Sequence, residues 1–174
     1  MREYSPWIKA EVTVAGSQDQ SARAAFRILA GYIFGDNAPS EKIGMTAPVG
    51  QQPAAGEKIG MTAPVGQEPQ AAGSGQWVVW FMMPSRYTLQ TLPEPADDRI
   101  RLREQPAHRA AVLAFRGKIR EGTFDQRAAE LREALVAAGL EAGAGEPTYA
   151  QYSPPMLPGF LRRNEVIVRL AGPQ

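Results

Sequence analysis

"WIKAEVTVAGSQDQSARAAFRILAGYIFG", residues 7–35, changes its period halfway along. The first eight residues set Ile8, Ala10, Val12 and Val14 on one face and Lys9, Glu11 and Thr13 on the other. That alternation is a half-buried strand. Beyond Gly16, Ala22, Ala25, Phe26, Leu29, Ala30 and Ile33 recur at intervals of three and four. They predict an amphipathic helix near 21–34, with Asp19 or Ser21 as cap and Gly35 as stop.

Strand, glycine, helix and glycine form a unit, and the chain holds a second one. "VLAFRG" (112–117) leads towards Thr123, which with Gln126 reads as a capping box. Ala128, Leu131, Leu135 and Ala138 then line one stripe of a helix near 123–138, and Gly139 followed by Leu140 reads as a Schellman end. "QWVVWFMM", "YTLQTL", "RIRLRE", "RAAVLAF", "TYAQY" and "EVIVRL" are strand-like. In the first of these, Trp77, Val79, Phe81 and Met83 share one face while Val78, Trp80 and Met82 share the other. A strand apolar on both faces is a central strand covered on both sides. The order predicts an α+β fold of two related halves, with an antiparallel sheet carrying two helices.

At 174 residues, one domain spanning 1–174 is the expectation. Nineteen basic and eighteen acidic residues leave a net charge of +1, so nothing points to nucleic acid. Zero cysteines exclude a disulfide framework and a thiolate metal site, and a lone histidine argues against zinc. No apolar run reaches 18 residues and the start "MREYSPWIKAEV" is no signal peptide, so no membrane partner and a cytoplasmic location are expected. No catalytic constellation is apparent. There is no cysteine nucleophile and no phosphate-cradling glycine motif, and the adjacent Asp97 and Asp98 would face opposite ways on a strand.

"EKIGMTAPVG" occurs twice, at 41–50 and 57–66. Ile43, Met45, Ala47 and Val49 alternate with polar or small residues, as do Ile59, Met61, Ala63 and Val65. The pattern predicts a β-hairpin over 41–67, Val49 opposite Ile59 and Met45 opposite Ala63, adding an apolar wall near a ligand cleft. Pro48 and Pro64 must then face an edge or a bulge.

Together, "FRILAGYIFGDN" (26–37), "EKIGMTAPV" (41–49), "WVVWFMMPSRYTLQTLPEPADDRI" (77–100), "AAVLAFRG" (110–117) and "YSPPMLPGFLRRNEVIV" (152–168) resemble the SOUL haem-binding protein family, in its bacterial branch. The resemblance covers nearly the whole chain in order. It implies a distorted antiparallel β-barrel of two pseudo-symmetric halves flanked by two α-helices. It also implies binding of haem, in the form of haem b, or a related tetrapyrrole in an apolar cleft, for carriage, sensing or buffering. Two alternatives stay open: an effector-type module for other flat or amphipathic ligands, and a haem-dependent or tetrapyrrole-modifying enzyme.

A haem needs flat apolar surface, charge for two propionates and, optionally, an iron ligand. Met45, Met61, Phe81, Met83, Met156 and Phe160 are candidates for the slot, and Lys42, Lys58, Arg162 and Arg163 for the propionates. His108, Met45, Met61, Tyr149 and Tyr152 are the axial candidates, beside the option of no axial ligand. For most of the apolar set, core packing is the competing reading. "YSPPMLPGF" reads as a rigid loop closing the barrel rather than a docking segment.

Overall fold

The structure is a computed structural model that describes residues 1–38, 65–71, 74–119, 122–152 and 157–172. Numbered along the chain, its strands are β1 (Arg2–Tyr4), β2 (Trp7–Ala15), β3 (Asn37–Ala38), β4 (Val65–Pro69), β5 (Gln76–Met82), β6 (Glu94–Pro95), β7 (Arg101–Gln105), β8 (His108–Arg116), β9 (Thr148–Gln151) and β10 (Arg163–Arg169). The helices are α1 (Gln18–Phe34) and α2 (Thr123–Ala137). Both lie where periodicity puts them.

Their ends show where local rules held. Helix α1 starts one turn before the apolar stripe. Its cap is Ser17, whose hydroxyl accepts from the Gln20 amide while the Gln20 side chain accepts from the Ser17 amide. Neither Asp19 nor Ser21 caps it, because both already lie in the first turns. Gly35 ends it at φ 123°. Helix α2 is capped by the backbone of left-handed Gly122 rather than by Thr123, which is its first residue. The Schellman end is present: Leu140 N–H donates to the Leu135 carbonyl and Gly139 N–H to that of Val136, both at 3.0 Å. Gly139 sits at φ +66° with open space where a Cβ would go. We expect Gly139→Ala to cost about 1 kcal/mol, purely as backbone strain, and to lower the melting temperature by about 2–4 °C. No change in a thermal melt would show that the helix end rearranges.

Eight strands form one curled antiparallel sheet, a half-barrel, in the order β1-β8-β10-β9-β4-β5-β2-β7, and β3 pairs with β6 apart from it. From the β4–β9 seam outward, one half reads β4, β5, β2, β7 and the other β9, β10, β8, β1. The halves match, except that the outermost place of the second is filled from the chain's beginning. A single register row crosses the sheet as Val12, Val79, Gln67, Tyr149, Val166 and Leu113. All six side chains therefore point to one face, and both helices pack there. Helix α1 covers β2 and β5 over Ala10, Val12, Val79 and Phe81, using Ala25, Leu29, Tyr32 and Ile33. Helix α2 covers β8 and β10 over Ala111, Val166 and Val168, using Phe124, Ala128, Leu131 and Leu135. Strand β5 is covered on both faces as expected: Val79 and Phe81 lie under α1, and Trp80 lies buried against Trp7 on the other side. No helix among the described residues is long and apolar enough to cross a membrane.

Most of the hairpin expected over 41–67 lies outside the described residues. Its last part does not. Val65, Gly66 and Gln67 pair with β5 on one side and β9 on the other, so neither edge is left for the first copy to join. The odd-face expectation does hold at that end, where Val65 packs on the core under α1.

Candidate functional site

Each helix sits mainly on the second and third strands of its own half, and the seam strands β4 and β9 meet the helices through single side chains, Val65 in the cluster under α1 and Tyr149 against Phe124 of α2. At the seam is a cleft of about 390 Å³ on the helix face. Val65, Val79, Gln67, Tyr149 and Gln151 lie along its floor and far side, and Ala22, Phe26, Arg23 and Arg27 form the wall from α1. The volume lies in the range of small-molecule sites.

Phe26 gives the wall its character. It is 38% exposed and stands edge-on to buried Phe81, with centroids 5.4 Å apart. Arg23 and Arg27 are one helical turn apart and flank it, so two guanidiniums rim an aromatic surface. Neither is paired with a carboxylate among the described residues. Opposite them, the Tyr149 ring lies stacked on Phe124 at 4.7 Å and 7°, and its hydroxyl donates to Asp125 Oδ1 at 2.8 Å. Burial first, and then the carboxylate accepting its proton, push the Tyr149 phenol well above its usual range. The phenol therefore stays protonated, which makes it a poor ligand for iron. The cleft floor also includes Gln67, a 4% exposed side chain whose Oε1 has no hydrogen-bond partner.

Of the sequence-derived candidates among the described residues, Tyr149 lines this cleft and the others do not. Phe81 and Met83 are core residues, 1% and 4% exposed, and Phe81 reaches the site only by supporting Phe26. Phe160 is 73% exposed on a 3-10 turn, Gly159–Leu161. Arg162 donates to the Leu157 carbonyl at 2.9 Å. Arg163 belongs to a cluster on the opposite face of the sheet, where it donates to Glu165 at 2.7 Å. Tyr152 is in that cluster too, donating to Glu165 Oε2 at 2.6 Å. His108 lies on the same far face, stacked on Tyr4 at 4.9 Å with Nδ1 at 2.9 Å from the Pro106 carbonyl oxygen. Lys42, Met45, Lys58, Met61 and Met156 lie outside the described residues.

Sequence reasoning passed over Arg23 and Arg27, which look like the solvated side of an amphipathic helix, and counted Phe26 with the core stripe. The available signal was the spacing: an aromatic between two arginines at i and i+4.

The comparisons with known proteins agree on the fold. The family model described as SOUL heme-binding protein matches residues 1–169. Heme-binding protein 1 of Sus scrofa is 30% identical over 151 residues, covering 85% of this chain and 70% of that protein. Among solved structures, the EcmrR C-terminal domain superposes with a TM-score of 0.68 at 10% identity, covering 98% of this chain and 94% of that one. A hydrolase from Listeria innocua gives 0.59 at 12% identity, covering 98% and 91%. At such identities these two show the architecture alone. Matched along nearly its whole length by the family model, this chain belongs to the SOUL heme-binding family.

Proposed function

We propose that this protein binds a tetrapyrrole, haem b being its iron form, in the cleft between α1 and the β4–β9 seam, and carries or buffers it in the cytoplasm as one domain. The observation that carries the reading is the pairing of an open apolar wall with two guanidiniums that have no carboxylate partner among the described residues. The Phe26 ring, Val65, Val79 and Tyr149 offer flat apolar contact, and Arg23 and Arg27 on the same lining offer two guanidiniums that suit two propionates. Family membership and the likeness to the Sus scrofa protein support the same ligand class.

The described part of the cleft lining contains no histidine or methionine, and the Tyr149 hydroxyl donates to Asp125. The described lining therefore suits a tetrapyrrole held by its faces and carboxylates.

A haemin titration followed by visible absorption tests this. We expect a sharp Soret band with a 1:1 end point in the parent protein. Arg23→Glu with Arg27→Glu should weaken binding about 10- to 100-fold, since two charge-assisted contacts are replaced by repulsion. His108→Ala should leave the titration unchanged, because that ring is on the far face of the sheet. Equal binding by the double variant would remove the cleft from consideration. A broad, non-saturating absorbance in the parent would favour an effector-type module for other ligands.

A further inference from the structure

In the register row Val12, Val79, Gln67, Tyr149, Val166 and Leu113, position 67 breaks the apolar pattern. Gln67 lies opposite Val79 of β5 on one side and Tyr149 of β9 on the other, so β4 cannot turn it to the far face without losing both registers. It is 4% exposed on the cleft floor, and its Oε1 has no hydrogen-bond partner among the described residues. A buried amide oxygen costs free energy unless it accepts a bond. The neighbours do not supply one. Val79 has no side-chain donor, the Tyr149 hydroxyl donates to Asp125 Oδ1 at 2.8 Å, and Arg23 and Arg27 share the lining without donating to Gln67. The floor of the cleft thus asks its ligand for an N–H or O–H.

Haem leaves that acceptor unanswered. Its pyrrole nitrogens hold the iron, and with its propionates ionised it has no donor left on its rim. A closed, metal-free porphyrin keeps N–H groups only at the ring centre, where an acceptor beside the edge does not meet them. Opening the macrocycle changes this. The end rings of an open-chain tetrapyrrole are lactams, each with an N–H beside a C=O on the molecule's edge, and two propionates remain for Arg23 and Arg27. A glutamine amide pairs with such a lactam through two antiparallel bonds, N–H to Oε1 and Nε2–H to the lactam carbonyl. The last torsion of a glutamine side chain is broad and two-fold, so a half-turn offers the two ends in either order. Resting on the tetrapyrrole reading of the cleft, we propose that Gln67 is its specificity residue and that the ligand it selects is an open-chain, metal-free tetrapyrrole whose lactam pairs with the Gln67 amide. The Phe26 ring and the two guanidiniums serve closed and open tetrapyrroles alike; Gln67 tells them apart.

Gln67→Leu removes the amide and keeps a side chain of similar size. Without ligand it should melt about 2–4 °C above the parent protein, because an unpaired buried carbonyl is gone. Titrated with biliverdin and followed by visible absorption, it should bind about 10-fold more weakly than the parent. Haemin, titrated into the same two proteins, should differ between them by less than about twofold. If Gln67→Leu melts below the parent, the amide already has a partner and the proposal fails. If biliverdin and haemin weaken equally, or biliverdin does not weaken, Gln67 does not read the lactam, while the haemin end point still upholds the tetrapyrrole reading. If the parent binds neither pigment, that reading falls and the selectivity falls with it.

Discussion

Replacing Phe124 with alanine is expected to cost about 3–5 kcal/mol, lowering the melting temperature by roughly 10 °C. Phe124 is 1% exposed in the first turn of α2 and joins the helix to the sheet. Its ring stacks on Tyr149 at 4.7 Å and meets Phe115 edge-on at 5.8 Å and 76°. Truncation would remove both aromatic contacts and leave a cavity at the N-terminal end of α2, where the sheet is too regular to collapse into it. The effect should extend to binding, because Tyr149 lies at the cleft and would lose the ring that holds it flat. Phe124→Leu keeps most of the volume and should cost well under half as much. Urea melts of the two variants decide the point. A loss below about 1 kcal/mol for the alanine variant would mean that α2 is not anchored through this stack.

The second large effect concerns Glu165, whose side chain is 0% exposed on the face away from the helices. Burial opposes its ionisation, but hydrogen bonds from Arg2, Tyr152 and Arg163 outweigh that and hold the carboxyl at about 2, against an ordinary 4.5. Arg2 donates twice, at 2.9 and 3.0 Å, and thereby ties the first strand to β10 across 163 residues of sequence. A carboxyl lowered on folding stabilises the fold above its unfolded value and loses that contribution as pH falls. The pH window here runs from about 4.5 down to about 2, with about 3 kcal/mol at stake. We expect Glu165→Gln to cost about that much at pH 7. The gap from the parent should narrow below pH 4.5 and close near pH 2. A gap that stays constant with pH would show that shape, not charge, is what the cluster needs.

Much of the architecture can be read locally. The strand at 7–15 and both helices follow from period alone, and the Schellman end follows from Gly139 and Leu140. Where reading failed at the caps, the error was one of position: Ser17 and Gln20 form the capping box that Asp19 and Ser21 do not. The site was far less legible. Phe81 and Met83 carry the same apolar signature whether they line a cleft or fill a core, and they fill the core. Arg163 and Tyr152 look available in sequence, yet the sheet turns them to the far face and occupies them with Glu165.

By itself, then, the sequence determined the faces of β2 and β5, the packed stripes of both helices and the existence of two related halves, while "YTLQTL" (87–92), read as strand-like, is a run of turns. Side-chain period is a local property, set by the backbone within a few residues. Only the tertiary structure decided which strands are neighbours. The antiparallel meeting of β4 with β9 joins residues about 80 apart, and β1 completes the second half from the opposite end of the chain. Those pairings put the seam between the strands that α1 and α2 mainly cover, and the cleft lies there beside α1. Arg23, Phe26 and Arg27 become a candidate site because the fold places the β4–β9 seam beside them, and no periodicity within α1 contains that.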